Sequence, residues 1–310
     1  MYRQLNKVLQ KVAEIELNET SSRIASDFDH IRQWMEKQPH LNFEIEDQML
    51  LSFLRCSKFS LERTKERIDC YYTMRTLSPE IYTNRDPLLP EIQLILDTGV
   101  LLPLPKPLSD DGPRLLLFTY GSKLNPETMT VSNVIKTMYM IVDILVKEDD
   151  RCVIGGINTW STVKNLPAKY VFHLTAPLIK KYITIAQNGT PIRLKGMYAT
   201  ECPPIFQYVY EVCKLFFTKK LSDRMSIYAQ TDCKEFYEKI PKHLMPEEYG
   251  GSNGSVKQLT VEWKRKVESY RDWLMKDEER KSNEDLRLGS PRTSSDVFGM
   301  EGSFRKLDID

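Results

Sequence analysis

The chain has 310 residues, and its 44 Lys and Arg against 43 Asp and Glu leave a formal net charge of +1. That balance argues against a nucleic-acid binder, which carries a broad excess of basic residues. No apolar run approaches the roughly 18 residues of a membrane-spanning helix, and the N-terminal residues lack the apolar stretch of a signal peptide. Six cysteines without a C-x-x-C pair predict free thiols in a cytoplasmic protein.

Residues 1–87 predict a helical module. The run 47–55 has one apolar face, as a helix on a core requires. Ser60 suits the N-cap of the next helix, which Pro79 ends. A proline-spaced connector then leads into a second domain, which we place at 88–254.

From Arg114 onward, short apolar runs alternate with helical patterns. Four runs predict strands: 114–120, 152–157, 192–199 and 226–230. Three stretches between them predict helices: 131–147, 167–174 and 177–187. Strands alternating with helices indicate βαβ units. The predicted fold class is α/β, a helical module followed by a mostly parallel sheet flanked by helices.

The C-terminal part is predicted to be one helix and a tail. The helix spans 255–280 and carries Trp263, Tyr270 and Trp273. Residues 281–310 are rich in Ser, Gly, Asp and Arg, a composition typical of disorder. Phe298, Met300 and Phe304 leave open a weak docking segment as the alternative to a solvated tail.

Catalytic motifs are missing from the sequence. It contains no G-x-S-x-G, no phosphate-binding G-x-x-x-x-G-K-[ST] and no H-E-x-x-H. Only four histidines are present, and none lies within four residues of another. We therefore predict no catalytic residues, no metal site and no enzymatic activity.

The segment 203–217 is apolar nearly all round. Pro203 and Pro204 suit the first turn of a helix. Beyond them, Gln207, Glu211 and Lys214 form one narrow polar stripe. Two interpretations remain open. The helix is either fully buried in a core, or a lid with one face on an internal cavity and another exposed for a membrane.

Basic residues cluster around this segment in the sequence. Arg193 and Lys195 alternate on one face of the third predicted strand, and Lys219, Lys220 and Arg224 follow the apolar helix. Charged side chains on an inner strand need a partner or an open groove. Five cations from two adjoining elements suit an anionic head group, whereas an ordinary solvated face is the alternative.

Several segments resemble the CRAL-TRIO (Sec14-like) lipid-binding family over about residues 28–275. They are Phe-Leu-Arg-Cys-Ser-Lys-Phe-Ser-Leu-Glu-Arg-Thr at 53–64, Pro-Ile-Arg-Leu-Lys-Gly at 191–196, the aromatic helix after Pro204, and Leu-Met-Pro-Glu-Glu-Tyr-Gly-Gly at 244–251. The pattern is most similar to the branch of α-tocopherol transfer protein, clavesin and cellular retinaldehyde-binding protein. Residues 36–41 resemble its insect-type members.

The resemblance implies a monomeric cytoplasmic carrier without a resident cofactor. It encloses one small hydrophobic lipid (tocopherol-, retinoid- or carotenoid-like) in an apolar cavity and visits phosphoinositide-containing membranes transiently. Phosphoinositide-binding positions fall on Arg193, Lys195, Lys220 and Arg224; a fifth falls on Ser57, where we take the adjacent Lys58. The implied lipid pocket comprises Ile135, Met138, Val142, Leu174, Tyr182, Ile185, Ala186 and Met197. The implied mobile gate helix contributes Ile205, Phe206, Val209, Tyr210, Cys213, Phe216 and Phe217.

Two other functions remain open at this point. One is a Sec14-type phospholipid exchange protein with phosphatidylinositol in the cavity. The other is a non-carrying adaptor, in which the cavity is collapsed and the fold docks other proteins.

Overall fold

The N-terminal part of the chain is a helical module. The computed structural model describes residues 2–120, 123–229 and 234–299. The helices of the module are α1 (Lys7–Leu17), α2 (Ser21–Glu36), α3 (Asp47–Cys56), α4 (Leu61–Leu77) and α5 (Pro79–Tyr82). A core forms where the apolar faces of α2, α3 and α4 meet, and it contains the edge-to-face pair Phe53 and Tyr71. The predicted helical N-terminal region is confirmed.

The second part alternates helices and strands. Its helices are α6 (Pro90–Leu96), α7 (Val131–Glu148), α8 (Asp150–Ile154), α9 (Ala168–His173), α10 (Ala176–Asn188), α11 (Pro204–Lys214), α12 (Lys219–Ser222) and α13 (Lys234–Tyr237). Its strands are β1 (Leu101–Pro103), β2 (Arg114–Thr119), β3 (Ile157–Thr162), β4 (Leu194–Thr200) and β5 (Met225–Tyr228). The predicted α/β class is confirmed.

Within the described residues, the strands form one five-stranded sheet in the order β1-β2-β3-β4-β5. β1 pairs antiparallel with β2, and the other neighbours are parallel. The consecutive leucines of β2 are covered on both faces. Leu116 packs with α6 and α7, whereas Leu115 and Leu117 pack with Trp160 and Phe236. A sheet buried on both faces explains why β2 is apolar without alternation.

The second predicted strand is wrong in its position. Cys152 lies in α8, where the Asp149 side chain caps the helix by accepting a hydrogen bond from the Cys152 amide. Gly156 then adopts a φ of 82°, and β3 begins at Ile157. A short apolar triplet is compatible with a buried helical turn as well as with a strand, so periodicity did not separate the two.

The C-terminal helix is divided in two, and a folded segment follows it. The elements are α14 (Val256–Ser269), α15 (Arg271–Asp277), a 3-10 turn (Glu284–Leu286) and α16 (Ser294–Phe298). We call residues 278–299 the strap. The predicted disorder is wrong for 281–299, because Phe298 is buried and the Asn283 amide donates to the His40 carbonyl at 2.9 Å. Residues 300–310 lie outside the described residues.

A buried ion-pair network joins the helical module, the sheet domain and α15. Arg85 Nη2 lies 2.5 Å from Asp143 Oδ2 of α7, and Arg75 Nη2 of α4 lies 2.6 Å from Asp277 Oδ2. A cross contact of 3.3 Å links Arg85 with Asp277. Since all four side chains are buried, their mutual pairing is what makes their burial tolerable.

The described cysteines are free thiols. Cys56, Cys70, Cys152, Cys202 and Cys213 are free, and Cys233 lies outside the described residues. No described helix is both long and apolar enough to cross a bilayer. The described residues also contain no group of three His, Cys, Asp or Glu side chains that is placed to hold a metal ion.

Candidate functional site

The predicted phosphoinositide residues lie together at one end of β4 and β5. Arg193 directly precedes β4 and Lys195 lies in it, whereas Arg224 directly precedes β5. Parallel pairing brings these strand starts side by side, with the Met197 amide donating to the Arg224 carbonyl at 2.8 Å. Lys220 comes from α12, the short helix before β5.

The helical module adds cations to the same place. Lys58, in the turn between α3 and α4, and Arg67 of α4 both repel the Lys220 ammonium. Burial first, and then repulsion from Arg224, Lys58 and Arg67, lowers the pKa of Lys220. We call this set the basic cluster; it comprises Lys58, Arg67, Arg193, Lys195, Lys220 and Arg224.

Cys56 of α3 lies within the field of the basic cluster. Burial raises the pKa of the Cys56 thiol, while Arg67, Arg193 and Lys220 each act to lower it. The same thiol therefore feels a cation from α4, one beside β4 and one from α12. Cations of the helical module and of the sheet domain therefore lie close enough to act on the same thiol.

Arg67 was missed by the sequence analysis. Its guanidinium donates to the Thr190 carbonyl at 3.1 Å, which carries it from α4 to the loop before β4. Nothing local distinguishes it from Arg63 one turn earlier, since both lie in the same polar stretch of α4. Only the docking of α4 on the sheet domain identifies it.

The cations of the basic cluster are unequally paired. Glu16 Oε2 of α1 lies 3.1 Å from Lys195 Nζ and 3.3 Å from Arg193 Nη1. Arg193 also donates to the Ile154 carbonyl and Arg224 to the Leu194 carbonyl. Within the described residues, no carboxylate forms an ion pair with Lys58, Lys220 or Arg224. One side of the cluster is therefore neutralised and the other is open to an anion.

The aromatic helix α11 is not a fully buried core helix. Its inner face packs on α9 and α10, with Val209 buried beside Val171 and Ile179. On its outer face Tyr208 is 71% exposed. Leu215, the first residue after the helix, is 76% exposed. Single exposed apolar side chains are common on protein surfaces, but several that lie together mark an interaction surface.

The predicted gate residues divide between these two faces. Four contribute to the apolar contact with α9 and α10: Ile205, Val209, Cys213 and Phe216. Three are half-exposed and lie outside that apolar cluster: Phe206, Tyr210 and Phe217. The polar stripe is exposed and internally hydrogen-bonded, since both Gln207 and Lys214 donate to Glu211 at 3.2 Å.

The predicted pocket residues fall in different apolar clusters. Ile135, Tyr182 and Ile185 share one cluster between α7 and α10. Met138 and Val142 pack against the cluster beneath β2, and Leu174 packs against α11. Met197 is half-buried in β4. Ala186 is exposed on α10, and its place in the pocket stays a prediction.

A cleft of about 510 Å³ lies at a different place, between α1, the α7–α8 junction and α14. Its lining mixes acidic and basic side chains, among them Arg114, Asp149 and Lys266, and includes none of the predicted pocket residues. A cleft with so many charges does not suit an apolar lipid.

Two family models and several curated proteins match this chain. Residues 104–251 match the family described as CRAL/TRIO domain, and residues 20–92 match the family described as Pinta-like, UBA domain. The chain is 26% identical over 260 residues to a Mus musculus protein named "Alpha-tocopherol transfer protein-like", covering 84% of this chain and 74% of that protein.

A Homo sapiens protein of the same name is 26% identical over 257 residues, covering 83% of this chain and 73% of that protein. A solved structure titled "Crystal structure of Sfh5" has a TM-score of 0.47 at 14% identity, covering 85% of this chain and 98% of that chain.

Proposed function

We propose that this chain, whose residues 104–251 match the CRAL/TRIO domain family, binds one hydrophobic lipid and transfers it to or from membranes. One observation carries the proposal: the half-buried helix α11 exposes apolar side chains and is followed directly by the cations of α12. Relatives named as transfer proteins support it. The matches also agree with the prediction that the chain is not an enzyme.

The membrane contact uses α11 and the residue after it. Tyr208 and Leu215 lose water when they enter the bilayer interface, which is worth about 25 cal/mol for each Å² of apolar surface removed from water. Tyrosine suits this location because its ring is apolar and its hydroxyl stays hydrated. We propose that the contact is transient, because a carrier has to leave one membrane to reach another.

The basic cluster supplies the electrostatic part of the contact. Each Lys or Arg near an anionic surface contributes about 1 kcal/mol to membrane attraction. Phosphoinositide head groups fit this site because phosphates accept charge-assisted hydrogen bonds from several cations at once. We assign the head group to the open side of the cluster, where Lys58, Lys220 and Arg224 have no carboxylate partner in the described chain.

The cargo is a small hydrophobic lipid of the tocopherol, retinoid or carotenoid kind. It lies behind α11, against the apolar side chains of α7 and α10, and outward movement of α11 releases it. As a carrier between membranes, the protein is proposed to act in the cytoplasm. Native mass spectrometry of the purified full chain identifies the cargo by mass. A phospholipid of matching mass would instead indicate an exchange protein, and an empty protein an adaptor.

A liposome transfer assay tests the membrane step. Transfer of a fluorescent hydrophobic ligand is followed with and without phosphoinositide in the acceptor vesicles. The double variant Arg193→Glu/Lys195→Glu is expected to lose the phosphoinositide stimulation. Lys257→Glu/Arg265→Glu makes the same charge change on the exposed face of α14 and is expected to retain it.

Thermal unfolding of each variant verifies the fold, and Lys220→Glu is a second test that does not disturb Glu16. Equal stimulation of wild type and of both basic-cluster variants would refute the phosphoinositide step.

A further inference from the structure

Helix α1 places a carboxylate inside the basic cluster. Glu16 Oε2 contacts both Lys195 Nζ, at 3.1 Å, and Arg193 Nη1, at 3.3 Å. Burial alone would raise the pKa of Glu16, but the hydrogen bonds and charges of Lys195 and Arg193 outweigh it and lower the pKa. The carboxylate is therefore ionised at neutral pH and occupies the position of an anion between two predicted phosphate-binding side chains.

The backbone at Glu16 is held in place by contacts of nearby residues in the chain. Leu17 is buried in a cluster with Leu9, Ala13 and Ile154, which fixes α1 against α8. Glu19 forms a buried two-point ion pair with Arg55 of α3, at 2.8 and 3.0 Å. The Glu16 side chain itself is 46% exposed. A fixed backbone with an accessible carboxylate allows an incoming anion to displace the side chain without unfolding the helix.

The rest of the basic cluster provides additional ion-pair contacts, and only a ligand with more than one phosphate forms them. A ligand with one phosphate charge that takes the place of Glu16 replaces two ion-pair contacts by two similar ones, while the displaced carboxylate repels it. A ligand with further phosphates also reaches Lys220 and Lys58, which have no carboxylate partner among the described residues. Discrimination then comes from a repulsive element built into the site.

We propose that Glu16 is a specificity-determining residue, an internal counter-ion that makes the basic cluster admit multiply phosphorylated head groups and reject singly charged ones. This inference rests on the proposed function, because it concerns which anionic lipid the same site accepts. A purely structural role for the Glu16 contacts would change the stability of α1 but not the ranking of anionic lipids.

Vesicle co-sedimentation with the full chain tests the inference. Phosphatidylcholine vesicles carry an equal mole fraction of either phosphatidylinositol or phosphatidylinositol 4,5-bisphosphate. Wild type is expected to favour the bisphosphate vesicles. Glu16→Gln is expected to raise binding to phosphatidylinositol vesicles by roughly twofold to fivefold and to the bisphosphate vesicles by less, so that the ratio of the two affinities falls.

Two controls isolate the charge. Glu14→Gln changes the same helix at an exposed carboxylate that accepts from Gln10, and its ratio is expected to equal that of wild type. Glu16→Asp keeps the charge and is expected to keep most of the discrimination. Thermal unfolding of each variant confirms that α1 remains folded.

The outcomes separate the inference from the proposed function. An unchanged ratio in Glu16→Gln, or an equal shift in Glu14→Gln, overturns the role of Glu16. If Arg193→Glu/Lys195→Glu still weakens bisphosphate binding in that case, the proposed function stands. If wild type binds neither kind of vesicle while Glu16→Gln binds one or both, that result supports Glu16 as the group that occupies the anion site. Absence of binding by both proteins overturns the inference and the phosphoinositide step together.

Discussion

Phe298 of the strap and Ile185 of α10 share one buried apolar cluster, and each is almost fully shielded from water. Lys181 places its ammonium 5.1 Å from the centroid of the Phe298 ring, and Lys180 donates to the Gly299 carbonyl at 2.8 Å. The cluster also contains Met74 of the helical module. The end of the described chain thus ties α10 to the N-terminal helices.

Truncation of Phe298 is expected to destabilise the protein strongly. Phe298→Ala removes a buried ring and leaves a cavity, which costs about 3–5 kcal/mol of the free energy of unfolding. Urea unfolding measures this change. Leu288→Ala, at a strap position that is 67% exposed, is expected to stay within about 0.5 kcal/mol of wild type. Similar small losses in both variants would mean that the strap is not packed in solution.

The strap is expected to loosen in acid. Burial would raise the pKa of Glu284, but hydrogen bonds from Arg287 and Ser282 outweigh it and lower the pKa to about 2. A carboxylate whose pKa is lower in the folded state stabilises fully above its ordinary value of 4.5, and this stabilisation is lost as the pH falls toward 2.

Glu284→Gln removes that dependence. The difference in unfolding free energy between wild type and Glu284→Gln is expected to be largest at neutral pH and to shrink below about pH 4.5, the ordinary pKa of Glu284. Urea unfolding at a series of pH values measures it, with Glu279→Gln as the control at an exposed position. A difference that stays constant with pH would contradict the assignment.

Removal of one member of the buried ion-pair network is expected to be costly. Asp143→Asn removes the negative charge that lies 2.5 Å from Arg85 and leaves two buried arginines to share Asp277. Loss of one charge from a buried ion pair typically costs about 3–5 kcal/mol. Asp272→Asn, on the exposed side of α15, is the matched control and is expected to change little. Chemical unfolding of both variants checks this, and equal stability would argue against the observed pairing.

Neutralisation of Lys220 is expected to stabilise the protein while weakening membrane binding. Burial and repulsion from Arg224 disfavour the charged ammonium in the folded state, so Lys220→Gln removes an unfavourable charge at neutral pH. The unfolding temperature without vesicles should rise, and binding to phosphoinositide vesicles should fall. Lys257→Gln makes the same charge change at an exposed position of α14 and should do neither. If Lys220→Gln were less stable than wild type, the Lys220 charge would be favourable in the folded state, which would contradict its lack of a carboxylate partner in the described chain.

A charge at the exposed edge of α11 is expected to impair membrane contact alone. Leu215→Asp places a carboxylate where the bilayer interface is expected, and vesicle binding should fall by about tenfold. Val261→Asp, at a 44% exposed position of α14, should leave binding unchanged. Both variants should unfold at the wild-type temperature. Equal binding by the two variants would place the membrane contact elsewhere.

Much of the fold follows from local patterns. The consecutive leucines of β2 indicate a strand covered on both faces, and the apolar positions of α7 repeat with the helical period. The apolar triplet that begins at Cys152 shows a case in which the pattern does not identify the element, because a buried helical turn and a buried strand have the same composition. The strap was missed for a related reason: a polar composition does not reveal one aromatic ring placed in a distant cluster.

The sequence by itself determined the α/β class, the apolar character of α11 and the predicted cations Arg193, Lys195, Lys220 and Arg224, because periodicity and residue type are local properties. Only the tertiary structure decided that Arg67 joins these cations and that Glu16 neutralises two of them. Such pairings depend on which surfaces meet when α1 and α4 dock on the sheet domain. No spacing within the chain encodes that meeting, since it results from the burial of apolar faces far apart in sequence.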